Sequence, residues 1–209
     1  MIFQIPGHSH IAPTFVVSLR CPRCRQQGTF EPLASINDVH MGQDQRLGQR
    51  RCPNDTCRAH VFFVSLAKQV LVSYPHERID FDATGIPPNI VRALEEAITC
   101  HASRSFTASA IMVRKTLEEL CKHEGATGNN LKGRIQALGA KVTLPAELLT
   151  GLDELRLLGN DAAHVEATAY NNVGQEEVEV GILFAKEVLK AVYQYKSLLT
   201  RLKSLKKAP

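Results

Sequence analysis

The sequence predicts an α+β chain in which a small N-terminal β module precedes an all-helical bundle. Composition changes near residue 75: short β-branched and aromatic runs broken by Gly, Pro, Asn and Asp give way to long stretches with apolar residues at helical spacing. Two close cysteine pairs lie before that change and none after it. These observations place the β module at residues 1–75, a linker at 76–87 and the helical domain at 88–209.

Within the first part, Thr14 to Leu19, Val61 to Leu66 and Gln69 to Tyr74 read as strands, because they are rich in Val, Phe and Leu and bounded by turn formers. Tyr74-Pro75, Asp82-Ala83-Thr84-Gly85 and Pro87-Pro88 read as connection, since each Pro removes a donor and biases its predecessor away from helix. A first helix then follows Pro87-Pro88 and ends near Ala102, with Ile90, Val91, Leu94, Ala97 and Ile98 inward. The second runs from about Ser105 to Glu124, with Val113, Leu117 and Leu120 on one stripe and Gly125 as its stop. Asn129 or Asn130 caps a short helix bearing Leu131, Ile135 and Leu138, which ends at Gly139. A fourth begins at Pro145 and carries Leu148, Leu152 and Leu155 inward. The last is the longest: Val178, Ile182, Ala185, Leu189, Val192, Leu199 and Leu202 predict a helix of about 30 residues, on the order of 45 Å.

At 209 residues, 44% apolar and 22% charged, the composition is that of a globular protein, and no run approaches the ~18 apolar residues of a membrane span. The N-terminus lacks the basic and apolar regions of a secretory signal, so the expected location is the cytoplasm and no membrane partner is expected. The net charge of +4 is too small to establish a nucleic-acid partner by itself. No Walker loop, paired-carboxylate metal site or nucleophile elbow is present, which disfavours nucleotide hydrolysis and two-metal nuclease chemistry.

Cys21-Pro22-Arg23-Cys24 and Cys52-Pro53-Asn54-Asp55-Thr56-Cys57 are two knuckles between strand-like runs. A tight turn lets two cysteines aim thiolates at one ion, and a second turn completes the tetrahedron that Zn²⁺ prefers. The expected cofactor is therefore one structural Zn²⁺ per chain in a zinc ribbon, ligated by Cys21, Cys24, Cys52 and Cys57, with no position open for water. Two disulfides are the competing account, disfavoured in a reducing compartment; His60 is an alternative fourth ligand in place of Cys57. Four thiolates around Zn²⁺ carry a net charge of −2, and Arg20, Arg23, Arg25, Arg50, Arg51 and Arg58 lie beside them in sequence, either offsetting that charge or meeting a nucleic acid. Cys100 and Cys121 lie on apolar helix stripes and read as core thiols.

Leu155 to His164 is the most chemically suggestive helical stretch. Arg156, Asn160 and His164 are spaced by four, so an unbroken helix carries them on successive turns of one face, and Gly159 is the point where it could break. A near-neutral His can move a proton at an RNA 2′-hydroxyl or leaving oxygen, an Arg fork can hold the phosphate, and Asn can orient the ring or a ribose. Ordinary structural roles fit the same residues: Asn160 capping a helix, His164 bonding a carbonyl, Arg156 pairing with Asp153 or Asp161.

The segment from about Ile90 to Leu199 resembles the helical Domain of Unknown Function 4145, through the Ala108 to Glu118 helix, the Leu131 to Ile135 stretch, and Arg156 through Gly159-Asn160 to His164. That family is similar to the HEPN superfamily, helical bundles that often dimerise and that include metal-independent endoribonucleases and toxins of phage-defence systems. The resemblance implies an all-α HEPN-like bundle behind the zinc ribbon, a homodimer, RNA or another nucleic acid as partner, and a defence-system protein as a further partner. It implies Arg156, Asn160 and His164 as catalytic residues. HEPN nucleases carry four to six residues between Arg and His with a polar residue after the Arg; here seven intervene and Leu157 follows. The function expected is a metal-independent endoribonuclease of a prokaryotic defence or toxin system. The alternative is a non-catalytic nucleic-acid- or protein-binding adaptor that dimerises through its helices. The basic run from Lys196 to Lys207 reads either as a solvated helix end or as a nucleic-acid tail.

Overall fold

A computed structural model describes residues 7–67, 69–163 and 173–205. The chain divides into two compact units, residues 1–80 and 81–209. Among the described residues an antiparallel sheet forms the first and six α-helices the second, an α+β composition.

The described residues of the first unit form seven strands: β1 (Ser9–Ile11), β2 (Val17–Arg20), β3 (Gln27–Pro32), β4 (Asp38–His40), β5 (Gln45–Arg51), β6 (His60–Leu66) and β7 (Gln69–Tyr74). β5 is its spine. Along one edge it pairs with β6 over its whole length, and its other edge is shared by β4 at Arg46 and Leu47 and by β3 at Arg50 and Arg51. β6 shows the alternation that a half-buried strand requires, with Val61 and Phe63 inward and Phe62 and Leu66 outward. The core is Val17, Leu19, Phe30, Val61 and Phe63, closed by the cysteines themselves.

Of the strands read from the sequence, β6 and β7 form over the expected runs, whereas the first begins only at Val17. β1, β3, β4 and β5 carry no apolar alternation. β5, Gln-Arg-Leu-Gly-Gln-Arg-Arg, buries Gly48 and Arg50. Arg50 is fully buried and bidentate to Asp38 at 2.7 Å, donates to the carbonyl of Phe15, and lies 4.8 Å over the Phe63 ring. Gly48 makes the room: a Cβ there would collide with the Asp38 carboxylate and the Phe63 ring.

The helical unit consists of α1 (Pro88–Ala102), α2 (Phe106–His123), α3 (Leu131–Gly139), α4 (Ala146–Ala163), α5 (Gln175–Leu189) and α6 (Tyr195–Ser204), the last two joined by a π-helical turn at Lys190–Gln194. α1 starts on Pro88, needing no donor there, and Asn130 caps α3 by accepting from the Gly133 N–H at 2.9 Å. Gly125, at φ +64°, stands just beyond the end of α2. α2 is the central helix, packed on α1, α4 and α5, with Val113, Leu117 and Leu120 buried beside Ile90, Leu94 and Ile98 of α1. α4 buries Leu152, Leu155 and Leu158, while Leu148 is only half-buried. The helix is not broken at Gly159. That glycine instead lets α2 approach, because any Cβ would overlap the Arg114 side chain and stand 3.0 Å from the Ala110 carbonyl. Among the described residues no helix is long and apolar enough to cross a membrane.

Candidate metal centre and the Arg156 face

Both cysteine pairs are built the same way. Each first cysteine is followed by Pro, and each second one by a residue in the left-handed region, Arg25 at φ +63° and Arg58 at φ +49°. In the first turn the Arg25 N–H donates to the Cys21 carbonyl, and in the second the Arg58 and Cys57 N–H groups donate to the Asn54 carbonyl. Cys21 and Cys52 are fastened by N–H bonds to the Gln26 and Ala59 carbonyls across the base of each turn. Chain reversal in so few residues points both sulfurs of a pair to the same side.

The four sulfurs lie within 4.8 Å of one another, Cys21 to Cys57 at 3.8 Å and Cys24 to Cys52 at 3.7 Å. A tetrahedron of ~2.3 Å metal–sulfur bonds has edges of about 3.8 Å, so the set fits a Zn²⁺-sized ion, whereas a disulfide requires sulfurs about 2 Å apart. All six cysteines are free thiols. Cys21, Cys52 and Cys57 are buried, and four adjacent thiolates do not ionise together without a cation. Burial pushes the Cys21 thiol up and Cys52 up to about 12. At Cys24 burial acts upward too, but the Gln26 backbone and neighbouring thiols outweigh it and bring the value to about 7. A metal entering this set would meet a thiolate first at Cys24 and displace protons from the rest. His60 takes no part: its Nδ1 lies 2.6 Å from the Gln49 amide at an exposed position.

The arginines beside the cysteines are engaged locally. Arg23 donates to the Cys57 carbonyl at 3.1 Å, tying the two knuckles together, and Arg20 to the Arg25 carbonyl at 3.0 Å. Arg51 and Arg58 share Glu31, with Asp55 also near Arg58. Arg50, buried against Asp38, is inaccessible to a nucleic acid. Of the two helical cysteines, Cys121 is buried and pushed up to about 11 by that burial, and burial also raises Cys100. Both are protonated thiols at neutral pH, unsuited to nucleophilic work.

Arg156 and Asn160 occupy successive turns of α4 on its half-buried side; His164 lies outside the described residues. Arg156 donates to Asp153 at 2.6 Å, and this hydrogen bond holds the Asp153 carboxyl below its usual range. Arg114, which sequence reasoning missed, reaches the same place from α2: its Nη1 donates to the Arg156 carbonyl at 3.4 Å and its Nε pairs with Glu118. The glycine that admits it, Gly159, was the available signal, but a helical glycine in one sequence does not say which neighbour it admits. The Arg114 guanidinium thus lies against the α4 backbone at Arg156, one turn before Asn160, with Glu118 and Asp153 as counter-charges to the two arginines.

No curated protein and no solved structure matches the chain. The family model described as a domain of unknown function, DUF4145, matches residues 95–208, more than half of the chain and nearly all of the helical unit. The chain belongs to the DUF4145 family.

Proposed function

We propose that this DUF4145 protein is a HEPN-like, dimeric, metal-independent endoribonuclease of a prokaryotic defence or toxin system, carrying a structural Zn²⁺ in a zinc ribbon and acting in the cytoplasm. The observation that carries the reading is that the Arg114 side chain of α2 reaches the Arg156 carbonyl of α4 at 3.4 Å, one turn before Asn160. In the proposed reaction the RNA 2′-oxygen bonds to the adjacent phosphorus, the bond to the 5′-oxygen breaks, and the 2′-hydroxyl proton leaves to a base while the departing oxygen receives one. His164 is assigned the proton transfer, Arg156 and Arg114 the phosphate charge, and Asn160 the orientation of ring or ribose. The zinc site, with four Cys ligands and no open position, is assigned to folding.

A specific observation favours a second reading, a non-catalytic RNA- or protein-binding adaptor on the same scaffold. Asp153 accepts from the Arg156 Nε at 2.6 Å, so a phosphate at this guanidinium would meet a carboxylate already paired with it. The two readings separate on an RNA cleavage assay with His164→Ala and Arg156→Ala proteins. The nuclease reading expects loss of cleavage with retained RNA binding for the first and loss of both for the second. Wild-type protein that binds RNA without cutting it would establish the adaptor.

A further inference from the structure

The rod formed by α5, the π-turn and α6 is apolar on the outside in two places. On α5, Val180 and Leu183 face outward between Glu176 and Glu187, at the four-three-four spacing of a helix seam, with Glu179 alongside. On α6 and its C-cap residue, Tyr195, Leu198, Leu199, Leu202 and Leu205 cover an arc of about 120°. Arg201 and Lys203 flank that arc, and α6 contains no acidic residue. All seven apolar residues are 43–80% exposed. Every α6 residue whose burial is described is exposed, so the stripe is open to solvent.

The π-turn brings the two places into line. Five residues wound at a wider pitch lose roughly a quarter-turn relative to an α-helix, which swings the α6 stripe from beside the outer face of α5 onto it. One continuous face of a 30-residue rod therefore has an apolar half with Glu176 and Glu179 at its outer end, Lys186 and the Glu187–Lys190 pair lying nearer the π-turn, and a basic-flanked apolar half.

We infer that this face docks against the same face of a second copy of the chain, the two rods antiparallel about a twofold axis near the π-turn. In that arrangement the Glu176 and Glu179 end of one copy lies along Arg201 and Lys203 of the other, and Val180 and Leu183 meet the leucine stripe, twice over by symmetry. Parallel pairing would set the basic halves side by side. Covering the seven side chains removes on the order of 800 Å² from each copy, the size of one side of a standard interface. This names the surface for the dimer proposed above and is independent of the ribonuclease assignment.

The test is the mass of the full chain in solution by sedimentation or light scattering, with charge reversal and remixing. Wild-type protein is expected at twice the 23.1 kDa chain mass. The Glu176→Lys/Glu179→Lys and Arg201→Glu/Lys203→Glu proteins should each self-associate at least tenfold more weakly. Mixed together they should form a heterodimer, because both contacts then regain opposite charge. Leu198→Asp/Leu202→Asp should be monomeric with unchanged helicity by circular dichroism. A wild-type dimer indifferent to all these changes, or reversed proteins that do not pair when mixed, overturns this surface and leaves the dimer reading standing. A wild-type monomer overturns both, and one that co-sediments with vesicles of anionic lipid would assign the stripe to a membrane.

Discussion

Arg50 shows how far a side chain's role departs from its sequence neighbourhood. Beside Arg51 and Cys52 it reads as a solvated or cofactor-balancing cation, yet it is completely buried and held by Asp38, the Phe15 carbonyl and the Phe63 face. Its partner is twelve residues away and arrives only because β4 pairs with β5, a fact no local pattern records. Replacing Asp38 by Ala strands a buried guanidinium and should cost about 3–5 kcal/mol, seen as earlier urea unfolding of the β unit. Arg51→Ala, which loses only a part-exposed contact to Glu31, should cost under about 1 kcal/mol. In the helical unit, His101 has a buried Nε2 with no hydrogen-bond partner among the described residues and packs on Phe106. Burial lowers its pKa, although the Glu179 carboxylate pulls the other way. The unfolded chain therefore takes up a proton near pH 6.5 that the folded chain resists, so stability should begin to fall as pH drops below about 6.5 and level off once the folded His101 also protonates. His101→Phe should flatten that part of a stability-versus-pH curve; an unchanged slope would assign it to other groups.

Helices were far more legible than strands. α1, α2 and α3 occupy the expected segments because periodicity, Pro at a start, Asn as a cap and Gly as a stop all act within a few residues of the end they define. β5 was hidden because its inward positions are a glycine and a paired arginine. The final helix has about the expected span, but Leu199 and Leu202 stand outward while Val178, Ile182 and Leu189 face the core: the π-turn changes which face a given spacing reaches. At the α2–α4 crossing, Gly159→Ala sets two opposed effects against each other. Helix propensity favours Ala by about 1 kcal/mol, whereas forcing a methyl against Arg114 and the Ala110 carbonyl costs about 1–3 kcal/mol. Overpacking should win and the midpoint of thermal unfolding should fall; a rise would mean the crossing relaxes freely.

For the whole molecule, the cysteine spacing announced the four residues that meet within 4.8 Å, since the chemistry of thiolates around a cation needs only two knuckles. The Arg156 face was half legible: Arg156 and Asn160 follow from spacing on one helix, whereas Arg114 depends on a helix crossing. Protein purified without chelator should contain one zinc per chain by elemental analysis. Cys24→Ser should unfold the β unit while leaving the helical circular dichroism largely intact, because each unit has its own core. The decisive experiment on catalysis incubates the wild-type chain with RNA in magnesium-free buffer, adds EDTA as the reaction starts, and identifies the new ends. The proposed chemistry predicts cleavage that persists in EDTA, yields 2′,3′-cyclic phosphate termini and disappears in the His164→Ala protein. Cleavage that stops in EDTA, or that survives in a folded His164→Ala protein, would contradict it.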